Sequence, residues 1–472
     1  MSWMKTAILG LDSVPPELLF GRLRDKLPTI GRMMERGIYG NLTTCDPPIT
    51  VPAWMVMFTG KNPGRLGIYG FRHRKPGSYT DGYIVNSMHV KEPKVWDILG
   101  ENGVRSVVIG MPPGYPPTKM TDGVMVSCFL TPSQERPFTY PPELKEEILK
   151  LNGGKYDFDV VFRTEDRGSL KKGLFEMTSQ RFDVAEHLAK TQRWDLFILH
   201  EIGFDRLHHA FWKYFDPSHP KYVRGNEFEG ILEEYYLMVD QRIERLLGIF
   251  GEDCVTFVLS DHGSKSMHGA FCVNEWLARE GYLSYLEPPK QVMDIEKAQI
   301  DWPRTKAWGW GGYYARIFFN VKGREPSGII DPDQLPAEKR RIKELIEHLT
   351  DDKGKRMKNH VFEPSERYGR AIGDTPDLMV YFDDLNWRSA GTVGHNSLYL
   401  SENDTGPDDS VHSMEGVFLM YNPRKNLKGK RIEGAKIADV APTLLRLYGL
   451  EESAMGTLDG RVLPDVVHGG RA

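Results

Sequence analysis

The sequence is poor in cysteine, has no long apolar run and carries little net charge. Its four cysteines are spread over 472 residues, which excludes a disulfide framework and disfavours a zinc site built from thiolates. No stretch approaches the roughly 20 apolar residues of a membrane span, so we expect no membrane association. A formal net charge of −4 gives no reason to expect a nucleic-acid polymer as a partner.

The amino terminus leads directly into a strand-like apolar segment. That segment ends at Asp12, a candidate metal ligand. Cleavage of a signal peptide would remove this carboxylate. Together with the low cysteine content, this predicts a cytoplasmic protein in a reducing compartment.

Short apolar runs alternate with helical patterns along most of the chain. This alternation predicts an α/β fold with a central, mostly parallel sheet and helices on both faces. Ligands of such folds bind outside the carboxyl ends of the strands. The predicted strands are 5–11, 105–111, 124–130, 195–201, 254–260, 315–321, 377–382 and 416–421.

One long segment interrupts this alternation. Residues 285–370 contain a Pro-Pro pair, an aromatic and glycine-rich patch at 308–314 and a charged helical stretch. Strand patterns resume after this segment. We therefore predict an inserted cap subdomain at 285–370 on a catalytic core formed by 1–284 and 371–472.

Carboxylates and histidines follow several predicted strands. Asp205 and His209 are four residues apart, so on a helix they would face the same way. Asp261 and His262 come directly after another apolar run, and Asp12 ends the first strand. Each pair alone would also fit a surface carboxylate beside a structural histidine. Together they supply the oxygen and imidazole ligands that divalent cations prefer.

Two further positions complete this set. Thr50 lies in a proline-flanked turn before a helical segment, where its hydroxyl could act as a nucleophile or simply as an N-cap. His412 precedes a predicted strand and is a candidate ligand, with His395 as a weaker rival. The chain thus offers ligands for two ions, and two ions about 4 Å apart can clamp a phosphoryl group.

The order of these residues resembles a known family. The motifs are Asp12, Pro48-x-Thr50-x-Pro52, Thr59-Gly60, Asp205-x-x-x-His209, Ser260-Asp261-His262-Gly263 and His412-x-x-x-Gly416. This series resembles the type I phosphodiesterase/nucleotide pyrophosphatase family of the alkaline phosphatase superfamily. The resemblance extends over nearly the whole chain and implies an alkaline phosphatase-like fold.

The resemblance also implies roles for these residues. Asp205, His209 and His412 would hold one divalent ion. Asp12, Asp261 and His262 would hold the second, with Thr50 bound to it as the nucleophile. The implied ions are zinc in first place and manganese in second. The implied reaction cleaves a phosphodiester or pyrophosphate bond of a small phosphorylated substrate, such as a nucleotide derivative, through a phospho-threonine intermediate.

The sequence departs from the nucleotide pyrophosphatase branch near the nucleophile. That branch has an asparagine that donates to a phosphoryl oxygen, and the matching position here is Phe71. Arg72, His73 and Arg74 are candidates to replace this contact, since an arginine suits a dianionic phosphate or a second phosphate. Asn62 is a further candidate at a different offset. The alternative for the three basic residues is a solvated charge run.

Other readings stay open at this point. Trp310, in the aromatic patch, could stack on a substrate ring or could belong to a packed cap. A sulfatase is disfavoured, because Trp54 stands where sulfatases carry an arginine. A phosphomonoesterase or phosphomutase on the same scaffold is the nearest alternative function. A catalytically inactive binding or scaffold protein is the alternative of another class.

Overall fold

The computed structural model describes residues 3–470. The strands, in chain order, are β1 (Lys5–Leu11), β2 (Ile38–Thr43), β3 (Arg72–Arg74), β4 (Gly82–Ile84), β5 (Ser106–Ile109), β6 (Gly123–Val126), β7 (Thr139–Tyr140), β8 (Leu196–Glu201), β9 (Cys254–Leu259), β10 (Gly263–Ser266), β11 (Gly269–Cys272), β12 (Ala307–Trp310), β13 (Ala315–Phe319), β14 (His360–Phe362), β15 (Leu378–Tyr381), β16 (Trp387–Ala390), β17 (Tyr399–Leu400), β18 (Ser410–Ser413), β19 (Glu415–Tyr421) and β20 (Lys430–Lys436).

The α-helices connect and cover these strands. They are α1 (Pro28–Arg36), α2 (Thr50–Thr59), α3 (Pro63–Leu66), α4 (Val95–Glu101), α5 (Leu144–Leu151), α6 (Arg167–Thr191), α7 (Gly203–Phe215), α8 (Ile231–Phe250), α9 (Val273–Arg279), α10 (Leu335–Glu347), α11 (Pro364–Tyr368), α12 (Val440–Leu447) and α13 (Pro464–Gly470). A π-helical turn spans Glu17–Arg22. Within residues 3–470, no helix combines the length and the apolar character needed to cross a membrane.

A nine-stranded sheet forms the centre of the molecule, in the order β20-β2-β19-β9-β1-β8-β5-β6-β7. The strands from β9 to β6 are parallel to one another, whereas β19 and β7 run antiparallel to their neighbours. Every residue of β8 and β9 is buried, as expected for parallel strands that are covered on both faces. The predicted mostly parallel α/β sheet is therefore confirmed.

Helices pack on both faces of this sheet. Side chains alternate between the faces along a strand, so in β8 Phe197 packs into one apolar layer and Ile198 into the other. The first layer includes residues of α1, α6, α7 and α8. The second includes residues of α2, α4, α12 and α13. This arrangement leaves the carboxyl edge of the parallel strands open for a site.

The carboxyl ends of β1, β8 and β9 meet at that edge. Asp12 directly follows β1, and α7 begins at Gly203, two residues after the end of β8. A Cβ at Gly203 would lie 1.9 Å from the Tyr235 hydroxyl, so only glycine fits the turn into this helix. The turn directs α7, with Asp205 on it, across the edge of the sheet.

A second sheet of four strands has the order β12-β13-β15-β14. It packs with α9 and α10 around its own apolar cluster, which includes Trp308, Phe318 and Ile342. Strand β15 lies beyond residue 370 and is hydrogen-bonded to both β13 and β14. This sheet therefore takes in more of the chain than 285–370, and the predicted division into core and cap stays a prediction.

Three strands of the central sheet escaped prediction: β2, β7 and β20. β20 lies at the sheet edge, and most of its residues are exposed, so it lacks an apolar pattern. β2 follows α1 after a single glycine, and its apolar residues are interrupted by Gly40 and Asn41, whereas β7 has only two residues. Short or exposed strands carry too little hydrophobic signal to be read from sequence.

A buried carboxylate fixes the start of α1, and its removal is expected to destabilise the fold. Asp240 of α8 accepts the backbone N–H groups of Thr29 and Ile30 at 3.0 and 2.8 Å, and it is 1% exposed. We expect Asp240→Ala to lower the free energy of unfolding by about 1–3 kcal/mol, since two buried donors lose their acceptor. Thermal unfolding measures this. Glu244→Ala, an exposed position on the same helix, is the control, and equal melting temperatures of the two variants would contradict the assignment.

Candidate active site

Two side chains of α7 and one of β18 form a first group of candidate metal ligands, here called the α7 cluster: Asp205, His209 and His412. Asp205 Oδ1 lies 3.2 Å from His209 Nε2 and 3.5 Å from His412 Nε2. The two Nε2 atoms are 3.2 Å apart. Asp205 and His209 share one face of α7 because they are four residues apart, and β18 presents His412 from the other side.

The hydrogen bonds of both histidines direct their Nε2 atoms inward. His209 Nδ1 donates to Asp408 Oδ1 at 2.7 Å, and His412 Nδ1 donates to the Pro48 carbonyl at 2.6 Å. Each Nε2, once deprotonated, can therefore direct its lone pair toward a cation. Although burial opposes it, Asp408, Tyr313 and Asp205 raise the pKa of His209 well above its usual value. A positive charge between the three ligand atoms of this cluster is therefore favourable, and a divalent cation would provide it.

A second group of three side chains, the β1 cluster, consists of Asp12, Asp261 and His262. Its candidate ligand atoms lie within 4.8 Å of one another, as do those of the α7 cluster. His262 Nε2 is 3.2 Å from Asp261 Oδ2 and 3.8 Å from Asp12 Oδ1. His262 Nδ1 donates to the Gly263 carbonyl at 3.1 Å, which again turns Nε2 inward.

The electrostatics of the β1 cluster also fit a cation. Within residues 3–470, Asp261 Oδ2 is buried and has no hydrogen-bond partner. Burial and the nearby carboxylate of Asp12 raise the pKa of Asp261 well above its usual value. Burial lowers the pKa of His262 to about 3, so this imidazole stays neutral and free to coordinate. Two facing carboxylates and a neutral imidazole are a suitable donor set for zinc or manganese.

Thr50 lies against the β1 cluster at the amino terminus of α2. Its Oγ1 is 3.4 Å from both Asp12 Oδ1 and His262 Nε2, and the residue is 2% exposed. The N-cap of α2 is Ile49, and no side chain caps the helix, so the simple N-cap role for Thr50 is not found. The helix terminus instead directs backbone N–H groups and a positive dipole toward the site, which favours an anion there.

Stacked rings connect the two clusters. The imidazoles of His262 and His412 lie 3.9 Å apart between centroids, at an interplanar angle of 20°. One ring belongs to each cluster, so the two sets of ligands are adjacent. The structure thus brings Thr50 together with all six ligands that the sequence suggested. His395 lies elsewhere, with its Nε2 2.7 Å from the Thr392 hydroxyl.

Sequence reasoning missed the residues that hold Asp12 in place. Trp54 Nε1 and His200 Nε2 both donate to Asp12 Oδ2 at 2.8 Å. Trp54 fits here because its ring packs against Gly10, where a Cβ would lie 2.6 Å from a ring carbon. From the sequence, Trp54 served only as an argument against a sulfatase. His200 was not identified as a site residue because it lies within an apolar strand.

Asp408 is another residue whose contact with a candidate metal ligand was not predicted from the sequence. It binds His209 through Oδ1, and its Oδ2 accepts from Arg388 at 2.6 Å and from Arg163 at 3.2 Å. Although burial opposes it, the charges of His209, Arg388 and Arg163 and the hydrogen bond with His209 hold the pKa of this carboxyl below its usual value. The residue lies in a polar stretch that has the pattern of an ordinary loop, so only the fold shows its contact with His209.

The aromatic patch reaches the α7 cluster through Tyr313. Its hydroxyl lies 3.0 Å from His209 Nε2, and its ring stacks on His412 with centroids 3.8 Å apart. Arg388 lies 4.2 Å from the centroid of the same ring. The sequence left open whether this patch stacks on a substrate ring or forms a packed cap, and the Tyr313 ring covers two of the candidate metal ligands, His209 and His412.

A cavity of about 300 Å³ opens beside the two clusters. Of the predicted substrate contacts, Arg72 and Trp310 line it, and the Arg72 guanidinium lies 5.4 Å from the Trp310 ring centroid. Ile49, which precedes Thr50, and Tyr313 line the same cavity. Substrate contact by Arg72 and Trp310 remains a prediction.

The other three predicted contacts are engaged elsewhere. Asn62 caps α3 by accepting from the Arg65 N–H at 3.1 Å. His73 is buried and accepts the Tyr69 N–H at 3.1 Å, and burial lowers its pKa to about 3. Arg74 is buried between two carboxylates, Asp374 at 2.9 Å and Glu325 at 3.4 Å. These contacts explain their presence without a substrate.

With the geometry described, comparison with known proteins identifies the family. The sequence profile of the type I phosphodiesterase / nucleotide pyrophosphatase family matches residues 6–408. The chain belongs to this family. It is accordingly an enzyme, a metal-dependent hydrolase of the phosphodiesterase and nucleotide pyrophosphatase type, as the resemblance implied. The matched range contains Thr50 and ends just before His412.

Solved structures share the fold of this family member. Human ectonucleotide pyrophosphatase/phosphodiesterase 5 superposes with a TM-score of 0.56 at 13% identity, covering 94% of this chain and 95% of that one. The murine protein, solved as an inactive threonine-to-alanine variant with AMP, gives 0.55 at 13% identity, covering 97% and 96%. At this identity the comparison establishes the fold alone.

Short segments also match another enzyme class. The 2,3-bisphosphoglycerate-independent phosphoglycerate mutase of Pseudomonas putida is 32% identical over 94 residues, and that of Pseudomonas fluorescens is 38% identical over 64 residues. These segments are 20% and 13% of this chain, and they span only 18% and 12% of the mutases.

Removal of the Asp408 charge is expected to weaken one metal site. Asp408→Asn keeps the shape of the side chain but no longer supports the basicity of His209, so affinity at the α7 cluster should fall by about 10–100-fold. Metal content after graded chelation, with thermal unfolding as a check on the fold, measures this. Asp25→Asn, at an exposed position, is the charge-matched control. Wild-type retention of both ions in Asp408→Asn would refute the role.

Proposed function

We propose that this family member is a two-metal phosphohydrolase that cleaves a phosphodiester or pyrophosphate bond with Thr50 as the nucleophile. The observation that carries the proposal is the position of Thr50 Oγ1, 3.4 Å from both Asp12 and His262. The inactive threonine-to-alanine variant of the murine protein supports it by analogy. The AMP bound there favours a small nucleotide-type substrate.

Each of the two clusters would bind a different ion. Asp205, His209 and His412 would hold one ion, and the β1 cluster would hold the other. Two divalent ions, zinc in first place and manganese in second, would supply Lewis-acid stabilisation of the phosphoryl oxygens. Donation from Trp54 and His200 fixes Asp12 and so keeps the β1 cluster aligned with Thr50.

The reaction proceeds in two displacements. The Thr50 oxygen forms a bond to phosphorus while the bond from phosphorus to the leaving-group oxygen breaks, and the threonine proton passes to solvent. Water then attacks phosphorus from the opposite side, the bond between phosphorus and the Thr50 oxygen breaks, and a proton of that water passes to the Thr50 oxygen and restores the hydroxyl. The N–H groups at the start of α2 stabilise the negative charge of the phosphoryl group in both steps.

A phosphomonoesterase or phosphomutase is the second candidate. The matches to phosphoglycerate mutases favour it, because a mutase would return the phosphoryl group from Thr50 to the substrate. An inactive scaffold protein is disfavoured, since every proposed ligand is a competent side chain. The predicted cytoplasmic location stays a prediction, and the free state of all four cysteines agrees with it.

Removal of the Thr50 hydroxyl is expected to abolish turnover. Thr50→Ala should lower kcat by at least about 10³-fold, with metal content and melting temperature unchanged, whereas Thr50→Ser should retain measurable activity. Thr59→Ala, at the opposite end of α2, is the control and should stay within a few-fold of wild type. Normal turnover in Thr50→Ala would rule out this nucleophile.

Metal removal is expected to stop the reaction reversibly and to reveal the substrate class. The metal-loaded protein should contain two equivalents and hydrolyse bis-p-nitrophenyl phosphate or nucleotide pyrophosphates faster than p-nitrophenyl phosphate. EDTA should remove this activity, and zinc or manganese should restore it. A preference for the monoester would favour the phosphomonoesterase or mutase, and a protein that binds no metal would favour the scaffold.

A further inference from the structure

The cavity beside the metal clusters contains an arginine with no acidic partner. Arg316, on β13, lines the cavity and is 6% exposed. One of its nitrogens donates to the Arg72 carbonyl at 2.7 Å. Within residues 3–470, no carboxylate lies at ion-pair distance from its guanidinium. A buried arginine without a counter-ion is costly, because its charge is desolvated and its five donors need acceptors.

The other charged groups on the cavity wall are already paired. Arg72 binds Glu296 at 3.1 Å, and Arg388 binds Asp408 at 2.6 Å. The remaining acids of the wall also have partners: Asp294 binds a lysine, and Asp404 accepts backbone N–H groups. Arg163 is likewise paired with Asp408, so within residues 3–470 Arg316 is the one arginine of the wall without an ion pair. Asp404 is held by neutral N–H and hydroxyl donors.

Two further donors in the same wall are without acceptors. Trp310 Nε1 and Arg388 Nε are buried and have no hydrogen-bond partner within the described residues 3–470. These two N–H groups are closed off from the cavity, and the Trp310 ring itself flanks the Arg316 guanidinium, 5.3 Å from the ring centroid. A guanidinium without a carboxylate partner on the wall of a cavity suits an anion with several acceptor oxygens, because it can donate two parallel N–H groups to that anion.

We propose that this cavity is an anion subsite in which Arg316 binds a second phosphate of the substrate, separate from the phosphoryl group that Thr50 attacks. The proposal rests on the proposed function, and it specifies its substrate class: phosphodiesters or pyrophosphates that carry a further phosphate. The cavity is placed for this, because Ile49 and Tyr313 connect it to Thr50 and to His209. Apolar contact comes from Trp310 and its aromatic neighbours.

A matched pair of substrates tests the proposal. One is the 2-methoxyethyl 4-nitrophenyl phosphate diester, and in the other a phosphate replaces the methyl group of the methoxy end. Wild-type enzyme should prefer the phosphorylated diester by tenfold or more in kcat/KM. Arg316→Gln should lose this preference and change kcat/KM for the neutral-ended diester less than threefold, while Arg316→Lys should keep part of it.

The controls separate a charge effect from misfolding. Arg32→Gln, an exposed arginine of α1 paired with Glu244, removes the same charge far from the cavity wall and should leave the preference intact. Melting temperatures of all variants check the fold. An unchanged preference in Arg316→Gln, or no preference in the wild type, would overturn the proposal.

A binding experiment keeps the subsite separate from the catalytic proposal. Calorimetry on EDTA-treated wild type and Arg316→Gln uses phenyl phosphate as the probe and phenol as its uncharged counterpart. We expect phenyl phosphate to bind the wild type in a salt-dependent manner and Arg316→Gln at least tenfold more weakly. Equal affinities would overturn the subsite even if the enzyme proves to be a diesterase, and a clear difference would support it even if hydrolysis fails.

Discussion

The rest of the site depends on six acceptor side chains that are held, against their mutual repulsion, at one edge of a sheet. Asp205, His209 and His412 converge within 4.8 Å, as do Asp12, Asp261 and His262. All are buried, so water cannot screen their negative and lone-pair character. The fold tolerates this because rigid parallel strands and α7 fix the backbone from which these side chains extend, and because bound cations would turn the repulsion into attraction.

A layer of donors and acceptors around the ligands keeps them in place. Trp54 and His200 hold Asp12, Asp408 holds His209, and the Pro48 carbonyl holds His412. Each contact leaves one lone pair free and directs it inward, which is how proteins orient metal ligands. The close packing at Gly10 and Gly203 allows the elements that carry these groups to approach, and it ties the chemistry of the site to the sheet.

Sequence patterns predicted the parts of the molecule that have strong local signals. Strands β1, β8 and β9 were evident as continuous apolar runs, and the ligands stood next to their ends. Asp408 gave no such signal, because a polar loop looks the same whether or not it binds a histidine. The same limit applies to arginines. Arg74 is paired with Asp374, which is distant in sequence, whereas Arg316 has no carboxylate partner within residues 3–470. Nothing in the sequence around either arginine distinguishes the two cases. Ion pairs between residues that are distant in sequence depend on tertiary structure. Strand β20, at the sheet edge, was not predicted because it lacks an apolar pattern.

The shared carboxylate of Asp408 has one more consequence. One of its oxygens supports His209, while the other neutralises Arg388 and Arg163, which both stand on the cavity wall. Any guest that draws those guanidinium groups toward itself leaves more electron density for the imidazole. Reciprocity of linked equilibria then requires that a filled cavity and a filled α7 cluster strengthen or weaken each other by the same factor. Asp408 thereby links a candidate metal ligand to the cavity wall through one side chain.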